Sequence, residues 1–451
     1  MDFKKNDELL LAITGYNSEG YGVARASGRV IFVQRALRGE LVRARILKVT
    51  NNAAYAKTIE ITEPSPCRAA PECMHFGKCG GCSLLHMTYA EELEYKREKV
   101  KEAFARIAGI DAVVPPVAPS PETLGYRNKA IFRAATIDGR AVTGFYRERS
   151  HDITPIGECP FQPGGANIAA RVLRQWMDEY GVLGYGDLSG EGIIRHLFYR
   201  EGRGTGKAQI VIIAAQDNIP RLEELTRRLR AEIPGLASIL LRVNWHTGNI
   251  VLRGKRRLLW GDDELEDTLM GLKFGIDHMA FYQVNHAQTE KLYGCALDFA
   301  ELSDRDEALD IYCGAGTITL LASRRAGRVT GVELVPEAIE SAEHSAERNG
   351  ITNAGFTRAD AAQYMSERAE NGSAPSVVIV DPPRRGLSPE VISATERLAP
   401  GRIVYVSCNP ATLARDCELF ARHGYKVSCV RAFDMFPRTV HVETVTLLRK
   451  A

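Results

Sequence analysis

The sequence predicts a multidomain α/β protein with three regions in series: a small β-barrel, a central α+β region and a doubly wound α/β domain. Three observations carry this prediction. Short alternating stretches fill the start of the chain, a tight cysteine cluster follows a proline break, and strands alternate with helices through the last third.

The first region covers residues 1–63. Apolar and polar residues alternate at 9–14, 30–33, 41–49 and 56–61, as half-buried strands require. Asn17-Ser18-Glu19-Gly20 and Arg38-Gly39-Glu40 supply turns between them, the pattern of a small barrel. Pro64-Ser65-Pro66 then breaks the chain.

The second region covers 64–267. It opens on the cysteines, continues into a Glu-, Lys- and Ala-rich helical stretch at 89–107, and includes an apolar strand at 208–215. Tyr126-Arg127-Asn128-Lys129 and Phe145-Tyr146-Arg147-Glu148-Arg149 interleave aromatic and basic residues. Such segments can stack on bases and contact phosphates, or form a solvated strand face.

The third region covers 268–451. Strands are expected at 308–311, 329–332, 377–380, 403–406 and 442–448, with helices between most of them.

Composition narrows the class. With 451 residues, 45% hydrophobic and 25% charged, the chain suits a soluble globular protein of several domains. No apolar run reaches the roughly 18 residues of a membrane span, and Met1-Asp2-Phe3-Lys4-Lys5 lacks the apolar core of a signal peptide. A cytoplasmic location, without a membrane partner, is expected. The net charge of +2 does not announce a nucleic-acid binder, although a basic face can hide in a neutral total. Ten cysteines are too sparse for a disulfide scaffold and, where clustered, point to metal or catalysis. Nothing in the sequence demands more than a monomer.

Asp310-Ile311-Tyr312-Cys313-Gly314-Ala315-Gly316-Thr317 ends an apolar strand and opens an apolar helix. Glycines at that turn let a ligand approach the backbone, and Glu333, ending the next strand, can accept hydrogen bonds from ribose hydroxyls. The turn lacks the Gly-Lys-Ser/Thr of a P-loop and does not complete Gly-x-Gly-x-x-Gly, which counts against nucleoside triphosphates and dinucleotides.

Val406-Ser407-Cys408-Asn409-Pro410 places a cysteine just past a strand end, where ligands bind in parallel sheets. Asp381-Pro382-Pro383-Arg384-Arg385-Gly386 presents a carboxylate at a second strand end, and His441-Val442-Glu443-Thr444 offers an acid/base candidate. Each has a plain alternative: a buried cysteine, a proline strand stop and a surface carboxylate on an edge strand. Cys73, Cys79 and Cys82 stand close together, with Cys67 before them and Cys159 far beyond. Thiolates so spaced can hold zinc or an iron–sulfur centre, with Cys67 and Cys159 as competing fourth ligands.

These motifs together resemble the RNA uracil-5-methyltransferases of the RumA/TrmA type, along essentially the whole chain. The first region resembles a TRAM domain, an RNA-binding barrel of OB-like shape, and the third a Rossmann-like methyltransferase domain. Phe281-Tyr282-Gln283-Val284-Asn285 is similar to the family's Phe-Phe-Gln-Val-Asn, and 310–317 to its Asp-Leu-Tyr-Cys-Gly-x-Gly-Thr. The resemblance implies Gln283, Tyr312, Glu333 and Asp381 at S-adenosylmethionine, Cys408 as nucleophile and Glu443 as general base. It implies Cys73, Cys79, Cys82 and Cys159 as ligands of a 4Fe-4S cluster, leaving Cys67 spare. Because the transfer-RNA members generally lack the cluster and the barrel, it favours ribosomal RNA, most of all 23S rRNA, as substrate. Tyr282, Ile311 and Ile318 depart mildly from the family pattern, and Arg438 stands where a histidine is often found.

The expected reaction is methyl transfer to carbon 5 of a uridine through a cysteine–uracil adduct. A transfer-RNA substrate is the alternative within the family. A cytosine-5-methyltransferase is disfavoured by the Ser-Cys-Asn-Pro context and the Gln283 segment, and a radical enzyme by the five-residue gap between Cys73 and Cys79. A dehydrogenase is disfavoured by the incomplete glycine fingerprint. A non-catalytic RNA-binding iron–sulfur protein is disfavoured by the joint presence of Gln283, Asp381, Cys408 and Glu443.

Overall fold

The computed structural model describes residues 3–148, 150–187, 189–246 and 250–451. Met1, Asp2 and Arg149, which enter the expectations above, lie outside these residues.

The N-terminal region is a six-stranded sheet running from Glu8–Ala12 to Ala53–Glu63. Alternation explains its core: along Leu41–Val49, Val42, Ala44 and Ile46 point inward and are fully buried, while Arg43 is exposed. The unanticipated strands Gly15–Tyr16 and Gly22–Ala26 complete it. Both are short and carry few apolar residues to alternate.

The central region is a seven-stranded sheet, with the interior strand Ala208–Ala214 buried along its whole length. Helices Gly164–Tyr180 and Leu222–Glu232 pack on it through Trp176, Leu173, Leu225 and Leu229.

Two segments placed in this region by chain order belong to the C-terminal body instead. The boundary expected between 267 and 268 cuts the hairpin Leu265–Leu269 and Leu272–Ile276, whose Leu269 and Phe274 pack with Leu292, Ala308 and Leu320. The helix expected at 89–107 is α-helical over Tyr89–Ala103 and widens into a π-turn at Phe104–Ala108, closed by Gly109 at φ +65°. Its Val100 and Phe104 join the core formed by Tyr405, Leu413 and Phe420. Apolar side chains pack on whichever complementary face is nearest in space, and sequence order does not specify that face.

The C-terminal sheet runs in the order Ala354–Arg358, Arg328–Glu333, Glu307–Ile311, Val377–Val380, Arg402–Ser407, Glu443–Lys450, Tyr425–Phe433. The first five strands are parallel, and Glu443–Lys450 is antiparallel to both its neighbours. Val377–Val380 is buried at every residue, which explains its unbroken apolar run. The order reverses beside Glu307–Ile311, opening a crevice at the carboxyl ends of the strands. Among the described residues, no helix is long and apolar enough to cross a membrane.

Candidate active site

One wall of the crevice is the glycine turn. The amides of Tyr312 and Cys313 donate to the carbonyl of Val332 at 3.0 and 3.1 Å, tying the turn to the neighbouring strand. Tyr312 takes φ +66°. Gly316, at φ +76°, admits no side chain, because a Cβ would stand 2.8 Å from both Ala342 and Phe356. A Cβ on Gly314 would meet nothing within 4 Å, so that backbone borders open space. Glu333 is oriented by backbone amides: Leu334 and Val335 donate to Oε1 at 2.8 and 3.0 Å, and Gly314 to Oε2 at 3.3 Å. Leu334 and Val335 are themselves well exposed, an apolar shelf beside the carboxylate.

The opposite wall is built from two stitched loops. Ser407 ends its strand, Cys408 turns the chain, Asn409 caps the helix Pro410–Arg422, and Pro410 starts it. Asn409 Nδ2 and Thr412 Oγ1 donate to the carbonyl of Arg384 at 3.0 and 3.3 Å, binding this loop to the one that carries Asp381. Ser407 pairs with Thr444 in the antiparallel ladder. Cys408 directly follows Ser407 and Glu443 directly precedes Thr444, so the end of the ladder brings the two close enough for the Glu443 charge to act on the thiol. Glu443 is 4% exposed and lies on an interior strand, not the edge strand of the plain reading. Cys408 is half-buried.

Carboxyl groups crowd this floor. Asp310 is fully buried and pushed up to about 7, chiefly by burial, although Thr319 donates to its Oδ2 at 2.6 Å. Its Oδ1 has no partner among the described residues. Asp381, half-buried at the crevice edge, is pushed up to about 7 by desolvation and then by Asp310. Glu443 is raised well above the carboxylate range by burial and by Asp381, against the pull of Arg384. Burial and the Glu443 carboxylate push the Cys408 thiol up to about 11, again opposed by Arg384. His441 is pushed down to about 4 by burial and by Arg384, Lys99, Lys96 and Arg127, so it is neutral near pH 7.

Gln283 is 7% exposed, and Asn128 Nδ2 donates to its carbonyl at 2.9 Å. Tyr282 replaces the expected phenylalanine for a visible reason: its hydroxyl donates to buried Asp267 at 3.1 Å. Sequence reasoning missed Tyr293 on the helix His286–Ala300. It is buried, and lies close enough to Asp381, Asp310 and Glu443 for their charges, after burial itself, to raise its phenol. Its spacing of four from Thr289 and from Leu297 marks the buried face, but that signal reads as core.

The comparisons with known proteins give the family. The family pattern tRNA (Uracil-5-)-methyltransferase matches residues 236–451, and the TRAM domain pattern matches 3–59. A Clostridium acetobutylicum protein named as an uncharacterized RNA methyltransferase is 39% identical, covering 99% of this chain and 98% of that one. The chain belongs to the RNA uracil-5-methyltransferase family. A Clostridium tetani protein named in the same way is 40% identical over 99% of this chain and 97% of its own. The crystal structure of Pyrococcus abyssi tRNA (uracil-54, C5)-methyltransferase with S-adenosyl-L-homocysteine superposes with a TM-score of 0.79 at 28% identity, covering 98% of this chain and all of that one. The protein is thus an S-adenosylmethionine-dependent RNA methyltransferase with an N-terminal TRAM domain.

This RNA methyltransferase carries a second feature. Cys73, Cys79, Cys82 and Cys159 line one cavity of about 300 Å³, together with Tyr126, Arg127, Lys129 and Phe145. Cys67 is not in its lining. Cys82 is pushed up to about 12 by burial and by the other three cysteines, with Arg127 opposing. The amide of Gly81 donates to Cys79 Sγ at 3.4 Å, and Asn167 brackets the main chain of Cys159 with two bonds of 3.0 Å. Among the described residues, no three His, Cys, Asp or Glu side chains converge as for a single ion. The Tyr126 segment, for which base stacking and a solvated strand face were the two readings, lines this cavity, and Tyr126 is 2% exposed with its hydroxyl on the carbonyl of Pro437. Aromatic and basic residues interleave equally well along a cavity wall, so the pattern alone did not separate the two.

Proposed function

We propose that this methyltransferase moves the methyl group of S-adenosylmethionine to carbon 5 of a uridine through a covalent adduct at Cys408. The carrying observation is that the end of the Ser407–Thr444 ladder brings Cys408, Glu443 and Asp381 within electrostatic reach of one another.

The residues fit the cosubstrate. The open backbone at Gly314, the oriented Glu333 and the apolar shelf of Leu334 and Val335 suit a nucleoside. Gln283, Tyr312 and Asp381 complete the cradle. The buried carboxyls of Asp310, Asp381 and Glu443 suit the positive sulfonium, which supplies an electrophilic methyl.

Carbon 5 of uracil is too weak a nucleophile to take that methyl unaided. Cys408 adds as a thiolate to carbon 6, forming a C–S bond and moving the ring's double-bond electrons into an enolate. Carbon 5 then displaces the methyl from sulfur, leaving S-adenosylhomocysteine. Glu443 removes the proton from carbon 5; the double bond reforms and expels the Cys408 thiolate. Arg384 favours both anions. The target base must leave its stack to reach this floor.

The four cavity cysteines are assigned a 4Fe-4S cluster. Four cysteines lining one cavity supply the thiolate set that such a centre needs. Arg127 and Lys129 in its wall offset the negative charge of such a centre, and amide donors to sulfur are what tune it. The methyl transfer needs no electron, so the centre's role is structural or towards RNA.

For the substrate, the cysteine set supports ribosomal RNA, most of all 23S rRNA. The full-length match to the archaeal tRNA enzyme supports the second reading, tRNA, because the barrel is then no discriminator. Nucleoside mass spectrometry on ribosomal and transfer RNA, from cells with and without the gene, decides. Loss of 5-methyluridine from large-subunit ribosomal RNA is expected. Loss confined to tRNA keeps the chemistry and replaces the substrate, and no loss from either removes the proposal.

A further inference from the structure

The loop between Tyr425–Phe433 and Glu443–Lys450 is gripped by segments far from it in sequence, and the grips converge on Arg438. Arg438 is 8% exposed, and its backbone sits at φ +67°, a conformation that a non-glycine residue keeps only when its surroundings over-determine it. Its carbonyl accepts from the amides of Ser83 at 2.9 Å and Leu84 at 3.1 Å, the two residues that follow Cys82. Its own amide donates to Glu92 at 2.7 Å. Its guanidinium reaches Glu72 at 3.3 Å and Glu92 at 3.7 Å, and lies 5.5 Å from the ring centre of Tyr89.

The surroundings are just as constrained. Lys96, fully buried, donates to Glu92 at 2.7 Å, to Asp434 at 2.6 Å and to the carbonyl of Phe436 at 3.2 Å. Tyr126, from the cysteine cavity, donates to the carbonyl of Pro437 at 3.2 Å, and Lys99 to that of Val440 at 2.8 Å. Glu92 therefore serves Lys96 and Arg438 together, and a lysine at 438 lacks the planar fork that reaches two carboxylates.

We propose that Arg438 is a positioning residue for Glu443: through Glu92, Glu72 and the amides after Cys82, it locks the loop so that the Glu443 carboxyl stays near Cys408 for proton removal. The proposal rests on the covalent reading above. Its physical ground is that a buried carboxyl gains by moving towards water; Glu443 is the first residue of its strand, paired with Phe433, so the loop that leads into it must be held as well. A displacement of about 1 Å at such a step costs on the order of a hundredfold in rate. The same contacts make the polypeptide beside Cys82 the strut of the active-site loop.

The test uses the full-length protein and an RNA that the wild type methylates. Arg438→Gly keeps the left-handed backbone without strain and removes only the side chain; Arg438→Lys restores one ion pair; Glu443→Gln is the control. Release of methylated RNA, denaturant-stable protein–RNA adduct and S-adenosylmethionine affinity are read for each. Arg438→Gly is expected to slow release roughly tenfold to a hundredfold, to accumulate adduct as Glu443→Gln does, and to bind S-adenosylmethionine as the wild type does. Arg438→Lys is expected to recover part of the rate. Wild-type turnover in Arg438→Gly overturns the proposal. So does a slow Arg438→Gly without adduct while Glu443→Gln accumulates it, since a general loss of structure slows every step alike. If Glu443→Gln itself builds no adduct, the covalent reading falls, and this inference falls with it.

Discussion

The side-chain amide of Asn409 donates to the carbonyl of Arg384 at 3.0 Å while its oxygen accepts from the amide of Ala411 at 3.1 Å. One residue thereby caps a helix and ties the Cys408 loop to the Asp381 loop. Asn409→Ala should lower stability by about 1 kcal/mol through the lost cap and slow methylation by about tenfold through the loosened floor. Asn409→Asp keeps the cap but cannot donate to Arg384, so it should recover stability and not rate. Urea unfolding and single-turnover methylation separate the two; equal recovery of both would count against the tie.

Cys408→Ala should abolish methylation and leave S-adenosylmethionine binding nearly intact, because the role proposed for the thiol is to add to the base and not to hold the cosubstrate. Glu443→Gln should instead trap an RNA adduct visible on a denaturing gel. Normal turnover by Cys408→Ala would end the covalent mechanism.

The raised carboxyls make cosubstrate binding depend on pH. Asp310 and Asp381, both pushed up to about 7, are largely protonated below that value and anionic above it. The sulfonium of S-adenosylmethionine is attracted only to the anionic forms, and S-adenosylhomocysteine carries no such charge. Preference for S-adenosylmethionine over S-adenosylhomocysteine should rise with pH through about 7, with proton release on binding seen by calorimetry. A ratio independent of pH would show that these carboxyls do not face the sulfonium.

Stability has the opposite sign. The folded-state value of Glu443 lies well above its unfolded value. The stability linked to that group is present below the unfolded value and lost as pH rises through the folded one. Glu443→Gln should therefore raise the melting temperature at alkaline pH, by roughly a few degrees, and change it little in acid. A lower melting temperature at every pH would mean that the carboxylate is paired better than the pull of Arg384 alone indicates.

Cys82→Ser, purified without oxygen, should lose iron and the visible absorption of a cluster, and Cys67→Ser should keep both. Cys67 stands outside the cavity, with its carbonyl accepting from the amide of Thr88 at 2.8 Å. Iron lost from Cys67→Ser and kept by Cys82→Ser would reverse the assignment.

Much of the fold is legible because its signals are local. The run of Val377–Val380, the glycine turn after Ile311 and the cap-and-proline start at Asn409-Pro410 each follow from side chains within a few residues of one another. The strands Ala354–Arg358 and Gly22–Ala26 escaped notice because edge positions and small residues blur the alternation. Tyr293 was hidden among core residues of its helix, and Arg438 showed only as a departure from the family pattern.

The sequence by itself determined the chemistry available at each strand end: a thiol after one, carboxyls after others, glycines between them, and cysteines close enough to share a centre. The tertiary structure decided that Glu443 comes within electrostatic reach of Cys408, that Tyr126 lines a cavity and that the helix beginning at Tyr89 serves the C-terminal body. The physical reason is that register and packing join residues far apart in the chain. The dielectric environment that pushes Asp310, Asp381 and Glu443 upward exists only once those joins have excluded water.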